Sequence, residues 1–170
     1  MIVTVRYRGS LANLQRALAR AVKKATRDRR VLEAVGLATM EIVHEAFVAK
    51  EGGGADEAGL KWPALAESTV RKKGDDAILV EEGDLEASLK PASGSRPKYQ
   101  VFRIRKNFWE GGTRRPFALA QHKGIKGKLP QRRLWAEFRA WPREWWNKIL
   151  GAATVEIVQV ILRELKGGKT

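Results

Sequence analysis

The sequence contains no cysteine in its 170 residues and only two histidines, His44 and His122. The missing cysteine excludes thiol catalysis, disulfide-stapled scaffolds and zinc fingers with cysteine ligands. The two histidines are far apart and form no H-E-x-x-H pattern, so a histidine zinc site is not predicted either. The sequence therefore predicts neither a metal ion nor a cofactor, and it is compatible with folding in a reducing cytoplasm.

Long hydrophobic runs are also missing. The first ten residues, MIVTVRYRGS, alternate apolar and basic side chains and lack the hydrophobic region of a secretory signal peptide. The longest apolar stretch, residues 149–162, is interrupted by Glu156 and Gln159 and is shorter than the roughly 20 residues that span a bilayer. We therefore expect a soluble protein without a membrane partner.

Signatures of enzymes are scarce. The glycines at 52–54 are not followed by the Lys-Ser/Thr pair of a phosphate-binding loop, and Ser68 has no base at a recognisable spacing. A metal-dependent nuclease using Asp75, Asp76 and Glu81 is the remaining catalytic hypothesis, but these carboxylates lie in a glycine-flanked stretch typical of solvated loops. The sequence predicts no catalytic residue and no enzyme activity.

Positive charge, in contrast, is abundant: 33 Lys and Arg against 19 Asp and Glu give a net charge of +14. Such a surplus attracts polyanions and acidic protein surfaces, although it is equally compatible with a merely solubilising basic surface. A basic DNA-binding protein without catalysis is therefore an alternative function. No recognition helix or known DNA-binding motif accompanies the charge.

The pattern of apolar residues predicts one α+β domain over residues 1–170. A strand is predicted at residues 2–8, followed by an amphipathic helix from Leu11 and a second helix over about 30–50, with a break in the charged stretch 26–30. In the second helix, Gly36 either weakens the helix or marks a close contact. The apolar stripe of the first helix consists of Leu11, Leu14, Leu18, Ala21, Val22 and Ala25. The opposite side of this helix carries the basic residues Arg16, Arg20, Lys23, Lys24 and Arg27.

The rest of the chain alternates loops with short elements. Three consecutive glycines end the second helix and predict a flexible loop around 51–60. Short helices are predicted after Ser68 and after the capping residue Asp84, a strand at 97–109, a turn at 111–113, and either a strand or a short helix at 115–121.

A long helix is predicted from Pro142, with a frayed tail at 166–170. Together these elements predict a small antiparallel β-sheet packed with two N-terminal helices and a long C-terminal helix.

Six tryptophans are present, and four of them lie within residues 135–146 among several arginines. Such residues either fill the core or form the centre of an interface. Trp145 and Trp146 point about 100° apart on a helix, so at least one of them should meet solvent or a neighbouring subunit. The candidate residues for a subunit or partner interface are Trp62, Trp109, Arg132, Arg133, Trp135 and Trp145.

Four segments in the middle of the chain resemble a known family. Residues 59–69 (GLKWPALAEST) resemble the G-x-x-W-x-P/A-L-x-x-x-T segment of phage virion morphogenesis proteins, the tail-completion proteins of Mu-like and P2-like phages. Residues 78–89 (ILVEEGDLEASL) resemble the family's I-L-x-x-T-G-x-L-x-x-S-I. Residues 117–124 (FALAQHKG) resemble Y-A-x-x-H-Q-x-G with His and Gln exchanged, and residues 129–135 (LPQRRLW) resemble I-P-x-R-P-F-L. We call these four stretches the motif segments.

The resemblance implies a structural protein of the virion at the head–tail junction, made in the host cytoplasm and without catalytic residues. It implies a homo-oligomeric ring, of six- or twelve-fold symmetry, between portal or head-connector proteins and a tail-tube or tail-terminator protein. Packaged DNA in the lumen would be contacted without sequence specificity. The basic residues expected to face this DNA channel are Arg71, Lys72, Lys73, Lys123, Lys126 and Lys128.

Overall fold

The computed structural model describes residues 11–74, 78, 83–91, 97–126, 128 and 130–167. The first helix, α1, comprises Leu11–Ala25, and the second, α2, comprises Arg29–Glu51. Asp28 caps α2, because its carboxylate accepts a hydrogen bond from the backbone N–H of Arg30 at 2.9 Å. The predicted break at 26–30 is therefore confirmed, whereas the predicted strand at 2–8 lies outside the described residues.

The long C-terminal helix, α6, comprises Arg143–Gly167 and packs against both α1 and α2. Its first turns pair with the end of α2, where Lys148 bonds Glu45 at 2.8 Å, and its last turns lie near the start of α2, where Arg163 is 3.9 Å from Asp28. The two helices are therefore antiparallel. The predicted closing helix is confirmed; residues 166–167, predicted to fray, belong to it, and residues 168–170 lie outside the described part.

The sheet consists of two antiparallel strands, β1 (Gln100–Ile104) and β2 (Trp109–Thr113), with Phe102 opposite Gly111. The sequence-based prediction of one strand over 97–109 and a turn at 111–113 was wrong. The chain reverses at residues 105–108, and the glycines lie within β2. They suit this strand because a Cβ on Gly111 would come within 2.1 Å of the Trp109 ring.

Gly36 of α2 marks a close contact, the second of the two predicted interpretations. A Cβ at this position would lie 2.8 Å from the ring of Phe102, which is packed beside the ring of Trp109. The sheet therefore approaches α2 at a point where no larger side chain fits. As a result, α2 lies between the sheet on one side and α6 on the other.

Three short helices complete the described fold. They are α3 (Glu67–Lys73), α4 (Asp84–Leu89) and α5 (Ala118–Lys123), followed by a single 3₁₀ turn at Phe138–Ala140. Helix α3 ends at Gly74 in the left-handed conformation, with φ of 81°.

The alternative of a helix at 115–121 is realised in α5. Asp84 does not cap α4 as predicted: Gly83 takes the cap position, and the Asp84 carboxylate binds Arg115 at 2.6 Å.

One hydrophobic core joins α2, α4, α6 and the loops between them. Apolar side chains from all these elements are buried together in it, among them Ile42, Phe47, Trp62, Leu85, Leu89, Leu134, Trp141, Trp145 and Ile149. The fold is α+β, with a small antiparallel sheet, two N-terminal helices and a long C-terminal helix. No helix in the described part of the chain is long and apolar enough to cross a membrane.

Candidate functional site

The four motif segments, although up to 70 residues apart in sequence, meet at one place in the fold. Trp62, from the first segment, is buried with 5% of its surface exposed and packs edge-on against Phe47 at 5.1 Å. Its indole N–H donates a hydrogen bond to the backbone carbonyl of Arg133, in the fourth segment, at 2.8 Å. The first segment is thereby tied to the fourth.

The fourth segment is held by the third through a ladder of polar contacts. The backbone N–H of Arg132 donates to the carbonyl of Gln121 at 2.8 Å, and the N–H of Leu134 donates to Nδ1 of His122 at 3.2 Å. The ring of Trp135 lies 5.0 Å from that of His122. His122, which the sequence predicts to be a structural residue in a turn, lies in α5 instead, and its Nδ1 is the acceptor that positions the fourth segment.

The second motif segment joins through helix α4. Leu85 and Leu89 enter the core that contains Trp62, and the Ser88 hydroxyl lies 2.7 Å from the hydroxyl of Thr113 on β2. We call the assembled unit the motif cluster. Each of the four segments contributes at least one side chain or backbone group to this unit.

A buried ion pair lies beneath the motif cluster. The ammonium group of Lys50, fully buried, bonds the Asp56 carboxylate at 2.8 Å and the carbonyl of Leu134 at 3.0 Å. It also lies 5.4 Å from the centre of the Trp62 ring. Burial lowers the pKa of Lys50, and the hydrogen bond and charge of Asp56 oppose that shift.

Asp56 also closes the loop that follows α2. Its second carboxylate oxygen accepts from the N–H of Leu60 at 2.9 Å, and Ala55 and Lys61 form an isolated antiparallel bridge. This is the stretch for which the glycines predict flexibility. Sequence reasoning missed the ion pair, because Lys50 resembles an ordinary cation at a helix C-terminus and Asp56 an ordinary loop residue.

Several predicted interface residues lie in the core instead. Trp62 and Arg132 are buried in the motif cluster, and Trp145 is buried with 4% exposed, its ring 5.2 Å from that of Trp141. Its neighbour Trp146 is 40% exposed, so the solvent-facing member of the pair is Trp146. The reason is the helix geometry: the side of α6 that carries Trp145 also carries Ile149 and faces α2.

The remaining three interface candidates do reach the surface. Arg133 is exposed, and Trp109 and Trp135 are half-buried. Arg132 differs from its neighbour Arg133 because it points inward, where burial lowers its pKa and the carbonyl of Pro63 is its acceptor at 3.4 Å. The surface that these candidates can offer to a partner is therefore smaller than the sequence predicts.

The basic residues predicted to meet DNA lie at the surface in two local groups. Arg71 and Lys72 are exposed and Lys73 is half-buried, all three in the last turn of α3, where Arg71 also pairs with Glu67 at 3.2 Å. The other three, at the end of α5 and beyond it, are all exposed: Lys123, Lys126 and Lys128.

Another basic surface lies at the corner between α1 and α2. An open groove there is lined by Arg20, Lys23, Lys24, Arg27, Asp28 and Arg29. The sequence identifies these cations only as the polar side of an amphipathic helix and the charged stretch that follows it. Their convergence depends on the turn at Asp28, which brings the start of α2 beside the end of α1.

Exposed apolar side chains form a second kind of surface. On α6, Leu150, Val155 and Val158 are exposed by 60%, 62% and 44%. On α1, Leu18 and Val22 are exposed although the sequence predicts a buried stripe; only Ala21 and Ala25 of that stripe are buried among the residues whose side chains are described. The reason is that α1 meets α6 through its alanines, which leave the larger residues at the margin of the contact.

The candidate ligands for a metal ion in this chain are its acidic and histidine side chains. Within the described ranges, no group of three or more His, Asp or Glu side chains is placed to hold a metal ion. The carboxylates of the nuclease hypothesis, Asp75, Asp76 and Glu81, lie outside the described residues.

Comparisons with protein families, with curated proteins and with solved structures find no match to this chain.

His122 leads to a prediction on pH. Burial, reinforced by the charges of Arg133, Lys50 and Lys123, lowers the pKa of His122 below its ordinary value of 6.5. At a pH just below 6.5, the folded chain therefore binds fewer protons than the unfolded chain. The free energy of unfolding is therefore expected to fall as the pH decreases from 6.5 through the lowered pKa, because protonation also removes the acceptor for the Leu134 N–H.

The measurement is urea unfolding of the wild type and of His122→Asn between pH 7.5 and 5. An Asn side chain retains an acceptor oxygen near the position of Nδ1 but does not titrate. The difference between the two proteins cancels the contribution of the other titrating groups. If this difference stays constant over the pH range, His122 is not the titrating group.

Proposed function

We propose that this chain is a structural protein of a tailed-phage virion, of the tail-completion or neck type. In this proposal it is made in the host cytoplasm and assembles as a ring, of six or twelve subunits, at the head–tail junction. The ring joins portal or head-connector proteins to a tail-tube or tail-terminator protein and surrounds the DNA channel. The role requires no catalytic group and no cofactor.

The observation that carries the proposal is the motif cluster. The segments that resemble the tail-completion family are not scattered over the surface but bond to one another, from Trp62 to Arg133 and from His122 to Leu134. Residues brought together in this way form one structural unit whose pattern is maintained by packing. That is the expected behaviour of a family pattern that specifies a scaffold and not an active site.

The exposed apolar face of α6 supports subunit contacts. Leu150, Val155 and Val158 are exposed aliphatic side chains on one long helix, and exposed apolar side chains are available to contact another subunit. A closed ring requires heterologous contacts, in which this face packs against a different face of the next subunit. Trp146, exposed one turn before Leu150 on the same helix, adds aromatic surface beside Leu150.

The test is the size and shape of the purified protein. We expect rings by negative-stain microscopy and a single high mass by mass photometry, both alone and with portal-side and tail-side proteins. Val155→Glu is expected to lower the equilibrium constant for ring assembly at least about tenfold, equivalent to about 1.4 kcal/mol. The matched control is Ser68→Glu, which adds the same charge at an exposed position in the first turn of α3.

A chain that remains monomeric at every concentration and enters no phage particle would overturn the proposal. The alternative, a basic DNA-binding protein without catalysis, is motivated by the net charge of +14 and by the arginines interleaved with tryptophans at residues 132–146. It predicts a monomer or dimer that binds DNA tightly in moderate salt. Mass photometry of the protein with and without DNA separates the two functions, since only the first predicts rings in the absence of DNA.

A further inference from the structure

The basic groove between α1 and α2 is rich in cations and poor in carboxylates. Residues 11–32 contain seven Lys and Arg and a single acidic residue, Asp28. The Asp28 carboxylate is already engaged, because it caps α2 through the N–H of Arg30 and lies 3.9 Å from Arg163. The carboxylate that lines the groove in the described part of the chain is therefore already bound to other groups.

Most of these cations are available to a ligand. Arg20, Lys23, Arg27 and Arg29 are exposed and form no ion pair with any residue in the described part of the chain. Lys24 is the exception, since it pairs with Glu164 on α6. Because this ion pair is exposed, it contributes little to the free energy of unfolding, and a more highly charged anion can replace Glu164.

The spacing of the cations suits a row of phosphates. Arg20, Lys23 and Lys24 lie within about one turn of α1, a distance of about 6 Å along the helix axis. Arg27 and Arg29 continue the row around the turn to α2. A strand of duplex DNA places one phosphate about every 3.4 Å along its axis, so the row is long enough to contact several phosphates.

The described lining of the groove lacks the aromatic side chains that are typical of binding sites for single-stranded nucleic acid. Among the residues that the structure describes, no aromatic side chain lines it, and all six tryptophans lie C-terminal to it in the sequence, from Trp62 onward. Single-stranded nucleic acid is normally bound by stacking of its bases on aromatic rings. Its lining cations lie on an open surface, and cations suit contacts to phosphates, which carry no sequence information.

We infer that the groove between α1 and α2 binds the phosphate backbone of double-stranded DNA without reading its sequence. The inference rests on the proposed function for its biological setting and deepens it, because it names the surface that meets the packaged DNA. It also differs from the sequence-based expectation, which assigned this contact to the ends of α3 and α5.

An acidic lipid surface is the competing ligand, because α1 also exposes Leu18 and Val22. DNA is favoured for two reasons. The cations continue from α1 onto α2 on one open surface, whereas a membrane helix presents them along both margins of its own apolar face. The alanines of α1 that would have to enter the lipid are buried against α6.

The experiment measures binding to a fluorescent 30-base-pair duplex of mixed sequence at several salt concentrations. The triple variant Arg20→Gln/Lys23→Gln/Arg27→Gln is expected to bind at least tenfold more weakly than the wild type. Its plot of log K against log salt is expected to be shallower by about 2.7, because each of the three phosphates that is no longer neutralised accounts for about 0.9 of the slope. The control Arg71→Gln/Lys72→Gln/Lys126→Gln removes the same charge and is expected to bind within about threefold of the wild type.

Three other results of this experiment would contradict the inference. Equal weakening in the two triple variants, tighter binding to the single strand than to the duplex, or tighter binding to phosphatidylserine vesicles than to DNA would each overturn it. Mass photometry of the same samples keeps the two proposals distinguishable. Intact rings that do not bind DNA contradict the groove alone, whereas the absence of rings contradicts the proposed function.

Discussion

Replacement of Trp62 by Ala is expected to lower the free energy of unfolding by about 3–5 kcal/mol. The indole is buried, packs against Phe47 and stands beside the ammonium group of Lys50. Its removal leaves a cavity between two motif segments and an unpaired carbonyl at Arg133. Both effects weaken the same interface, so the fourth segment is expected to detach from the first.

Two further substitutions make this result specific. Trp62→Phe keeps most of the ring packing but removes the indole donor, so we expect an intermediate decrease of about 1–3 kcal/mol. Trp146→Ala removes the same side chain from a half-exposed position and is expected to cost about 1 kcal/mol. Urea unfolding monitored by circular dichroism measures all three. Equal decreases in Trp62→Ala and Trp146→Ala would contradict the burial of Trp62.

Replacement of Asp56 by Asn is expected to cost a similar amount, about 3–5 kcal/mol. The amide still accepts from the N–H of Leu60, but Lys50 then remains buried without a negative partner. Removing one member of a buried ion pair is costly because the other charge stays in a poorly solvating environment. We therefore expect a larger decrease in stability than the removal of an exposed ion pair would cause.

The double variant Lys50→Met/Asp56→Asn tests the cause. It removes the buried charge altogether and retains an unbranched side chain of similar length, so stability is expected to return to within about 2 kcal/mol of the wild type. The remaining deficit reflects the missing hydrogen bond from Lys50 to the carbonyl of Leu134. If the double variant is no more stable than Asp56→Asn, the effect does not originate in an unpaired Lys50.

The single variant should also respond to pH in a defined direction. Burial lowers the pKa of Lys50 below its ordinary value of 10.5, and Asp56 is the partner that limits this shift. Without the Asp56 carboxylate, the pKa of Lys50 in the folded chain is expected to fall further below its value in the unfolded chain. The stability of Asp56→Asn is therefore expected to rise with pH toward 10.5 more steeply than that of the wild type.

Local features of the sequence determined most of the helices. The three- and four-residue spacing of apolar residues predicted α2 and α6, Gly74 ended α3, and the charged stretch at 26–30 contained the break that Asp28 caps. These signals are readable because the interactions that set a helix and its ends join residues at most four positions apart. The sequence also determined the net charge, and with it the attraction to polyanions.

The sheet shows where such local reasoning failed. Gly111 and Gly112 predicted a turn because glycine is common there, but they belong to β2, where the ring of Trp109 excludes a side chain at Gly111. The close approach of Phe102 to Gly36 depends equally on distant parts of the chain. No propensity of the glycines themselves distinguishes these two uses.

Only the tertiary structure decided which polar and aromatic side chains are inside. Lys50 bonds a carbonyl 84 residues away, and Trp62 bonds one 71 residues away. It also decided that Trp145 is buried and Trp146 exposed, and that the cations of α1 and α2 converge on one groove. The physical reason is the same in each case: a side chain's periodicity shows which side of its own element it occupies, but its partner is chosen by how the elements pack.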